Sequence, residues 1–333
     1  MRAIVVDRFM EPTDLAVREM PSPPLLPGSL RVEVRAAGCN FFDILMVQGR
    51  YQVKPPFPFV PGAEIAGVVR EVAPDVRRFA VGDRVLASNG LGGFAEECVV
   101  SARSAYALPE EMSFEEGAAL PIIYPTSYAG LVDRGNLRAG ETLLVHAAAG
   151  GVGSAAVQIG RALGARVIGT AGGADKCDVA RREGAEVCID YRADDFVARV
   201  QELTQGRGAD VIYDSVGGEI TDQSLKCIAW NGRLVIIGFA SGKIPSIQAN
   251  RILLKNIAVT GLHWGAHAQK DPKRIGEVMD ALFAMYGKGQ IRPVIYGRYP
   301  LEQVPAALAA LGGRESYGKV IITPRGELGT PAT

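Results

Sequence analysis

ETLLVHAAAGGVGSAAVQIGRALGARVIGTA, residues 141–171, holds a strand, a glycine turn, a helix and a second strand in that order. The apolar runs 141–147 and 165–171 read as buried strands, and the apolar spacing from Gly151 to Leu163 is helical. Between them, Ala148-x-Gly150-x-x-Gly153 follows the pattern G-x-G-x-x-G with alanine in the first place. Each glycine has a physical use. Gly150 lets the backbone approach a pyrophosphate, and Gly153 lets the helix pack close to the strand. The helix start then offers free N–H groups and the positive end of its dipole to phosphates. A lone glycine triplet is a weak signal; a strand before it and a helix after it strengthen the case for a dinucleotide. Ala149, Gly150, Gly151, Val152 and Gly153 are the candidate contacts.

The alternation continues downstream. A helix is expected over 175–183, a strand over 186–190, a helix over 194–204, and strands over 209–217, 232–240 and 255–264. Apolar strands alternating with helices predict a parallel sheet covered on both faces. After it, a helix over 272–286, a strand over 293–296, a short helix over 301–311 and a strand over 319–323 are expected, with a frayed tail, RGELGTPAT. Upstream the texture differs. Segments 30–36 and 65–71 are β-branched and alternating, and the proline-rich runs PSPPLLPG (21–28) and KPPFPFVPG (54–62) exclude long helices. The expected division is a β-rich domain from 1–124 and 266–333, and a dinucleotide-binding domain from 125–265.

The end of the second strand bears on the nucleotide. An enzyme for NAD places an acid about 20 residues beyond the first glycine, on the ribose 2′-hydroxyl. Here that place reads Gly169-Thr170-Ala171-Gly172-Gly173, without a carboxylate, and Lys176 follows. Loss of the acid and gain of a cation favour a 2′-phosphate, hence NADP(H). Thr170, Gly172 and Lys176 join the candidate contacts.

Composition narrows the classes. The 333 residues balance 36 basic against 36 acidic side chains, with no basic run that would point to nucleic acid or a membrane surface. No apolar stretch is long enough to span a bilayer, and the N-terminus MRAIVVDRFM lacks a signal-peptide pattern. The five cysteines are scattered, without a C-x-x-C pair, which fits a reducing cytoplasm. The segment AVTGLHW (258–264) is apolar, and at a sheet edge it would invite its two-fold mate, so at least a homodimer is expected.

Several pieces together resemble one family. AAAGGVGSAAVQIGRALGA is similar to the cofactor motif of medium-chain dehydrogenases/reductases, as are EVRAAGCNFFDILMVQGRY, PFVPGAEIAGVV, VGDRV, YDSVGG (213–218), GRLVIIGFASG (232–242) and GKVIITP (318–324). The match runs nearly the length of the chain, and is nearest to the zeta-crystallin-like quinone oxidoreductases. The resemblance implies an α/β fold: a Rossmann-type doubly wound parallel sheet domain plus a GroES-like β-rich catalytic domain. Zinc alcohol dehydrogenases of that superfamily carry a cysteine early in the chain and then Gly-His-Glu. Here the cysteine position falls on Asn40, and Gly-His-Glu reads Gly62-Ala63-Glu64. Cys39 is one residue off, with its side chain expected to point elsewhere along a strand. The histidines, His146, His263 and His267, form no visible ligand set, so no zinc is expected.

The resemblance also implies residue roles. Asn40 and Tyr51 match positions at the nicotinamide end of the site; both are candidate catalytic residues, and Asn40 is a candidate cofactor contact as well. Thr126 matches a threonine near the nicotinamide ribose and phosphates. Lys176 and Tyr191 match residues around the 2′-phosphate, and Ser215, Phe239, Ala240 and Ser241 match the loops beside the cofactor. Without a Lewis acid, a plain ketone is a poor acceptor. A quinone or α,β-unsaturated carbonyl spreads the developing charge onto an oxygen that needs only a hydrogen-bond donor, such as the Tyr51 hydroxyl or the Asn40 amide. The expected activity is an NADPH-dependent reduction of a small quinone or enone. The alternatives are reduction of an enoyl-thioester or alkenal double bond, and a non-catalytic NADPH-binding protein on the same fold.

Overall fold

The structure is a computed structural model that describes residues 1–326; the tail expected to fray lies outside the described residues from 327 on. The chain forms two compact units. One is Met1–Ile122 together with the chain from Pro293, and the other is Ile123–Arg292.

The first unit opens with β1 (Arg2–Ile4) and β2 (Val17–Glu19), an antiparallel pair. It continues with β3 (Ser29–Gly38), helix α1 (Phe41–Val47), β4 (Glu64–Val72), β5 (Arg84–Ser88), β6 (Glu97–Ser101), β7 (Ala105–Ala107) and helix α2 (Phe114–Ala119). β3 is the long central strand, flanked by β4 and β6. Its buried side chains Leu30, Val32 and Val34 join Ile65, Val85, Phe94 and Val100 in the core. The proline-rich runs carry no helix, as expected, but α1 and α2 were not foreseen. Both are short and start at caps: the Asp43 carboxylate accepts the Asn40 N–H (2.7 Å), and Ser113 Oγ accepts the Glu116 N–H (3.1 Å). Cys39 lies just past the end of β3 rather than on a strand, and is buried in that core.

The second unit begins with α3 (Ile123–Ala129) and then alternates: β8 (Thr142–Val145), α4 (Gly151–Ala162), β9 (Arg166–Ala171), α5 (Ala174–Glu183), β10 (Val187–Asp190), α6 (Phe196–Leu203), β11 (Ala209–Asp214), α7 (Glu219–Cys227), β12 (Ile228–Ile236), α8 (Ala249–Lys255) and β13 (Ala258–Gly261), followed by α9 (His267–Lys270) and α10 (Pro272–Gly287). The six strands are all parallel, in the order β10-β9-β8-β11-β12-β13. The chain reverses direction across the sheet between β8 and β11, and ligands of open α/β sheets bind at the carboxyl ends beside such a point.

Several expected strands change length: the one expected over 209–217 ends at Asp214, the one over 293–296 runs Ile295–Pro300, and two more change further. The one expected over 232–240 starts at Ile228, with a register shift beside Asn231 (φ 59°), and ends at Ile236, so Phe239 and Ala240 lie in a loop. The one expected over 255–264 shrinks to Ala258–Gly261. Lys255 ends α8, Asn256 caps that helix at φ 51°, and Trp264 already belongs to a 3₁₀ turn.

The chain leaves the second unit at Arg292, later than the 265/266 boundary expected from the sequence. The reason is α10, which packs on α3 and is tied to the π-helical turn after it (Gly130–Arg134) through Arg274, whose guanidinium donates to both Asp133 oxygens (2.6 and 3.0 Å). Arg292 itself exchanges hydrogen bonds with the Gln158 side chain on α4 (2.8 and 2.9 Å). The return segment then adds β14 (Ile295–Pro300), α11 (Val304–Gly312) and β15 (Lys319–Thr323) to the first unit, with β15 antiparallel to β3.

Candidate active site

In the second unit the candidate contacts gather at strand ends. The turn after β8 is tight: Ala147 sits at φ 51°, and its carbonyl accepts the Gly150 N–H (2.8 Å). A Cβ at Gly153 would lie 2.0 Å from that same carbonyl oxygen, so only glycine lets α4 start this close to the strand. The N-terminus of α4 follows at Gly151, with Gly150 as its cap. The turn after β11 is laced to the loop after β12: Ala240 N–H donates to Ser215 O (3.1 Å) and Ser241 N–H to Val216 O (2.9 Å). Phe239 and Ser241 pack over Gly217 and Gly218, which have positive φ.

The end of β9 is built for close approach. A Cβ at Gly172 would lie 2.5 Å from the Tyr191 hydroxyl and 3.1 Å from Arg192 Nε, and one at Gly173 would lie 3.6 Å from Arg192 Nη1. A phenol and a guanidinium therefore cover the acid-free strand end, one turn before Lys176. The nearby acid, Asp190, is turned to the backbone, accepting from Gly173 N–H (2.9 Å) and Arg192 N–H (3.0 Å); those bonds hold its carboxyl below the usual range. Thr170 differs from the rest. It is buried, and its hydroxyl meets His146 Nδ1 (3.0 Å) in the core, while its carbonyl accepts the Ala148 N–H (2.9 Å). The other ring nitrogen of His146 meets Ser224 Oγ (2.8 Å), and burial lowers this histidine to about 4, an uncharged core residue. Thr126 lies on α3, buried Ser127 beside it donating to Val152 O (2.8 Å) at the start of α4.

In the first unit, Asn40 sits at the start of α1 within a buried polar cluster. Its Nδ2 donates to Glu64 Oε1 (2.9 Å). The Lys319 ammonium donates to Asn40 Oδ1 (2.9 Å), Glu64 Oε1 (2.5 Å) and the Cys39 carbonyl (2.7 Å). Glu64 Oε2 accepts the Ile122 N–H (2.9 Å). Asp43 stands behind, fully buried; its Oδ1 has no partner among the described residues, and burial pushes its carboxyl up to about 7. Tyr51 follows α1 with its ring stacked on Phe42 (centroids 5.5 Å apart, planes 29° apart), and burial and the Asp43 charge raise its phenol. Its hydroxyl makes no hydrogen bond among the described residues.

This arrangement does not fit a zinc ion. Asn40, in the place of the cysteine, shares a lysine ammonium with Glu64, and Ala63, in the place of the histidine, carries no ligand atom. Among the described residues no group of three or more His, Cys, Asp or Glu side chains could hold a metal. Lys319, Asp43 and Arg192 are the members sequence reasoning missed. Their signals were present but local: a lysine opening the apolar run KVIIT, one acid within FFDILMV, and an arginine directly after Tyr191.

The alcohol dehydrogenase GroES-like domain matches residues 26–110, and the zinc-binding dehydrogenase family matches residues 151–284. A quinone oxidoreductase-like protein 2 homolog of Nematostella vectensis is 44% identical over 299 residues, 89% of this chain and 82% of that protein. The crystal structure of Escherichia coli quinone oxidoreductase complexed with NADPH superposes with a TM-score of 0.90 at 32% identity, over 97% of this chain and 100% of that one. The CurK enoyl reductase follows at a TM-score of 0.87 and 28% identity, over 97% and 98%. The GroES-like β-rich unit, the parallel Rossmann-type sheet with its glycine turn, and relatives aligned over most of both chains lead to one conclusion: this chain belongs to the quinone oxidoreductase family of medium-chain dehydrogenases/reductases.

Proposed function

We propose that the chain is a zinc-independent, NADPH-dependent reductase of quinones or similarly conjugated carbonyl compounds. The observation that carries this reading is the set Asn40–Glu64–Lys319, in which an amide at the expected cysteine position is held by a buried ion pair. The NADPH-bound relative supports the nucleotide, as do Tyr191 and Arg192 at the acid-free end of β9, with Lys176 in the first turn of the helix that follows. Bound NADPH supplies a hydride. The α4 N-terminus and the Gly150–Gly153 turn offer N–H groups to its pyrophosphate. Ser215 and the Phe239–Ser241 loop border the same strand ends, and Lys176, Tyr191 and Arg192 offer cationic and phenolic donors to a 2′-phosphate.

The acceptor is read from the donors available. A conjugated carbonyl needs a donor at the oxygen that turns negative, and here the free Tyr51 hydroxyl and one Asn40 N–H are the groups at hand. The CurK enoyl reductase in the same fold supports an α,β-unsaturated thioester as the second acceptor class. No helix among the described residues is long and apolar enough to cross a membrane; a cytoplasmic small-molecule enzyme remains our reading. β13 is paired on one side only among the described residues, and Leu253 and Leu254 on the preceding helix are exposed, which supports a homodimer.

The test is NADPH consumption with a benzoquinone, an orthoquinone, crotonyl-thioester and a 2-alkenal, on protein whose zinc content is measured in parallel. Turnover of a quinone or enone at far less than one zinc per chain is expected. Flat traces across the panel, or activity that tracks zinc, would refute the proposal.

A further inference from the structure

We infer that Lys319 is a positioning residue: with Glu64 it locks the Asn40 side-chain amide in one orientation and so fixes the single N–H that this residue can offer a substrate. The inference rests on the reading that Asn40 serves the acceptor.

The lock follows from which atoms donate and which accept. An ammonium only donates, and a carboxylate only accepts. Asn40 Oδ1 faces the Lys319 ammonium at 2.9 Å, and Asn40 Nδ2 faces Glu64 Oε1 at 2.9 Å. Turning the amide over would set its oxygen against a carboxylate and its NH₂ against an ammonium, two repulsive contacts in place of two attractive ones. Asparagine orientation is normally ambiguous in a structure; here the flanking charges settle it. The main chain of Asn40 is committed as well, its N–H to Asp43 Oδ2 (2.7 Å) and its carbonyl to the Asp43 N–H (3.0 Å). Glu64 is held by the Ile122 N–H, and all three Lys319 protons are engaged. Among the described residues, the second Nδ2 hydrogen is therefore the one donor of Asn40 left uncommitted.

The fold delivers this lysine with little freedom. β15 runs antiparallel to β3 with Ile321 opposite Gly38, and Cys39 N–H donates to Val320 O (2.9 Å), so Lys319 comes up across from Asn40. Just before it, Gly318 has φ 47°, and a Cβ there would lie 2.3 Å from the Val294 carbonyl oxygen. The side chains of Lys319 and Glu64 are 2% and 0% exposed, so water does not compete for either charge.

Asparagine-selective ¹⁵N labelling of the full chain reads the lock without turnover. The wild type should show two well-separated, slowly exchanging Asn40 amide protons, assigned by their loss in Asn40→Ala. In Lys319→Met/Glu64→Gln, which removes both charges of the ion pair together, they should exchange like those of an exposed asparagine, with NADPH affinity unchanged. In the same variant kcat should fall about tenfold to a hundredfold, approaching the loss of an oxyanion donor. Adding Asn40→Ala to it should cost less than about threefold more, because the two changes remove one function. Lys319→Arg, which keeps a donor-only cation, should recover most of kcat. An unchanged amide signal overturns the lock; a lost lock with full kcat, or fully additive losses, overturns its use in turnover. Should the double variant not fold, Glu64→Gln alone must keep the amide orientation through the ammonium, and a scrambled amide there also overturns the inference. A wild type inert toward every acceptor sinks the reductase reading instead, and the amide signal still decides the lock.

Discussion

Gly153→Ala puts a methyl group 2.0 Å from the Ala147 carbonyl oxygen, 2.8 Å from its carbon and 3.0 Å from the Ala148 Cα. These are backbone atoms, and the oxygen is already held by the Gly150 N–H at 2.8 Å, so none of them can swing away. Restoring a carbon–oxygen contact of roughly 3.4 Å requires the first turn of α4 to retreat by more than ~1 Å. Overpacking of this kind costs about 1–3 kcal/mol, and an immovable neighbour puts this site at the upper end. A displacement of ~1 Å in a binding element can also cost on the order of a hundredfold in function. Two other alanines serve as internal controls. Gly160→Ala meets the Leu143 Cδ2 atom at 2.5 Å and the Val167 Cγ2 atom at 3.3 Å, side-chain ends rather than backbone. Gly150→Ala meets the Ala147 oxygen at 3.2 Å, a tight but tolerable contact. Urea unfolding should rank the stability losses Gly153→Ala, then Gly160→Ala, then Gly150→Ala. NADPH titration by fluorescence should show a large loss for Gly153→Ala, little for Gly160→Ala, and a loss for Gly150→Ala out of proportion to its stability. A Gly153→Ala protein with wild-type stability and NADPH affinity would refute the role given to this turn.

Tyr51→Phe keeps the stack on Phe42 and removes one donor, so kcat should drop about tenfold to a thousandfold with NADPH affinity intact, more for enones than for quinones; unchanged kcat for both, with weaker NADPH binding, would make Tyr51 a packing residue. Lys176→Ala and Arg192→Ala should each weaken NADPH by about 1–3 kcal/mol and leave NADH nearly unchanged, measured by parallel titration; equal effects on both cofactors would remove the 2′-phosphate from the argument. Two buried groups should oppose each other on acidification. His146, at about 4 when folded against ~6.5 unfolded, contributes stability that is present above pH ~6.5 and lost as the pH falls toward 4; Asp43, raised to about 7 from an unfolded value of ~3.9, adds stability as the pH falls through 7. Asp43→Asn should therefore lose stability between pH 7 and pH 5 more steeply than the wild type in urea titrations, and equal slopes would contradict the assignment. Light scattering at micromolar concentration should give a dimer mass, and a charged substitution at exposed Leu254 should lower it; a wild-type monomer would end that proposal.

The parallel-sheet unit was legible because each of its elements carries a local signal. The Gly150–Gly153 turn, the helix from Gly151 and the strands at 142–145 and 166–171 each follow from a few adjacent residues. The first unit was harder to read. α1 is only seven residues, too short for periodicity to reveal, and it forms because Asp43 reaches back to cap the Asn40 N–H. The return of the chain at 292 was hidden for the same reason: α10 declares its unit only through contacts with α3 and Asp133. The glycine turn is written in adjacent residues and Tyr191 came with the family resemblance, whereas the local signal of Lys319 says nothing of Asn40. That lysine lies 279 residues from Asn40, and only the pairing of β15 with β3 brings them together.

That long separation has a consequence for synthesis. The second unit is one unbroken stretch of chain and can close as soon as residue 292 has emerged, whereas the first unit is cut in two by it. When the ribosome has delivered Asn40, Asp43 and Glu64, the strand bearing their cation does not yet exist, and buried carboxylates without it are costly. Nascent chains emerge N-terminal part first, so the earlier-made part of this unit must wait, incompletely paired along β3, for β15, the last strand among the described residues. A chain released before Lys319 would carry an intact nucleotide fold beside an unfinished partner, a natural client for chaperones and proteases.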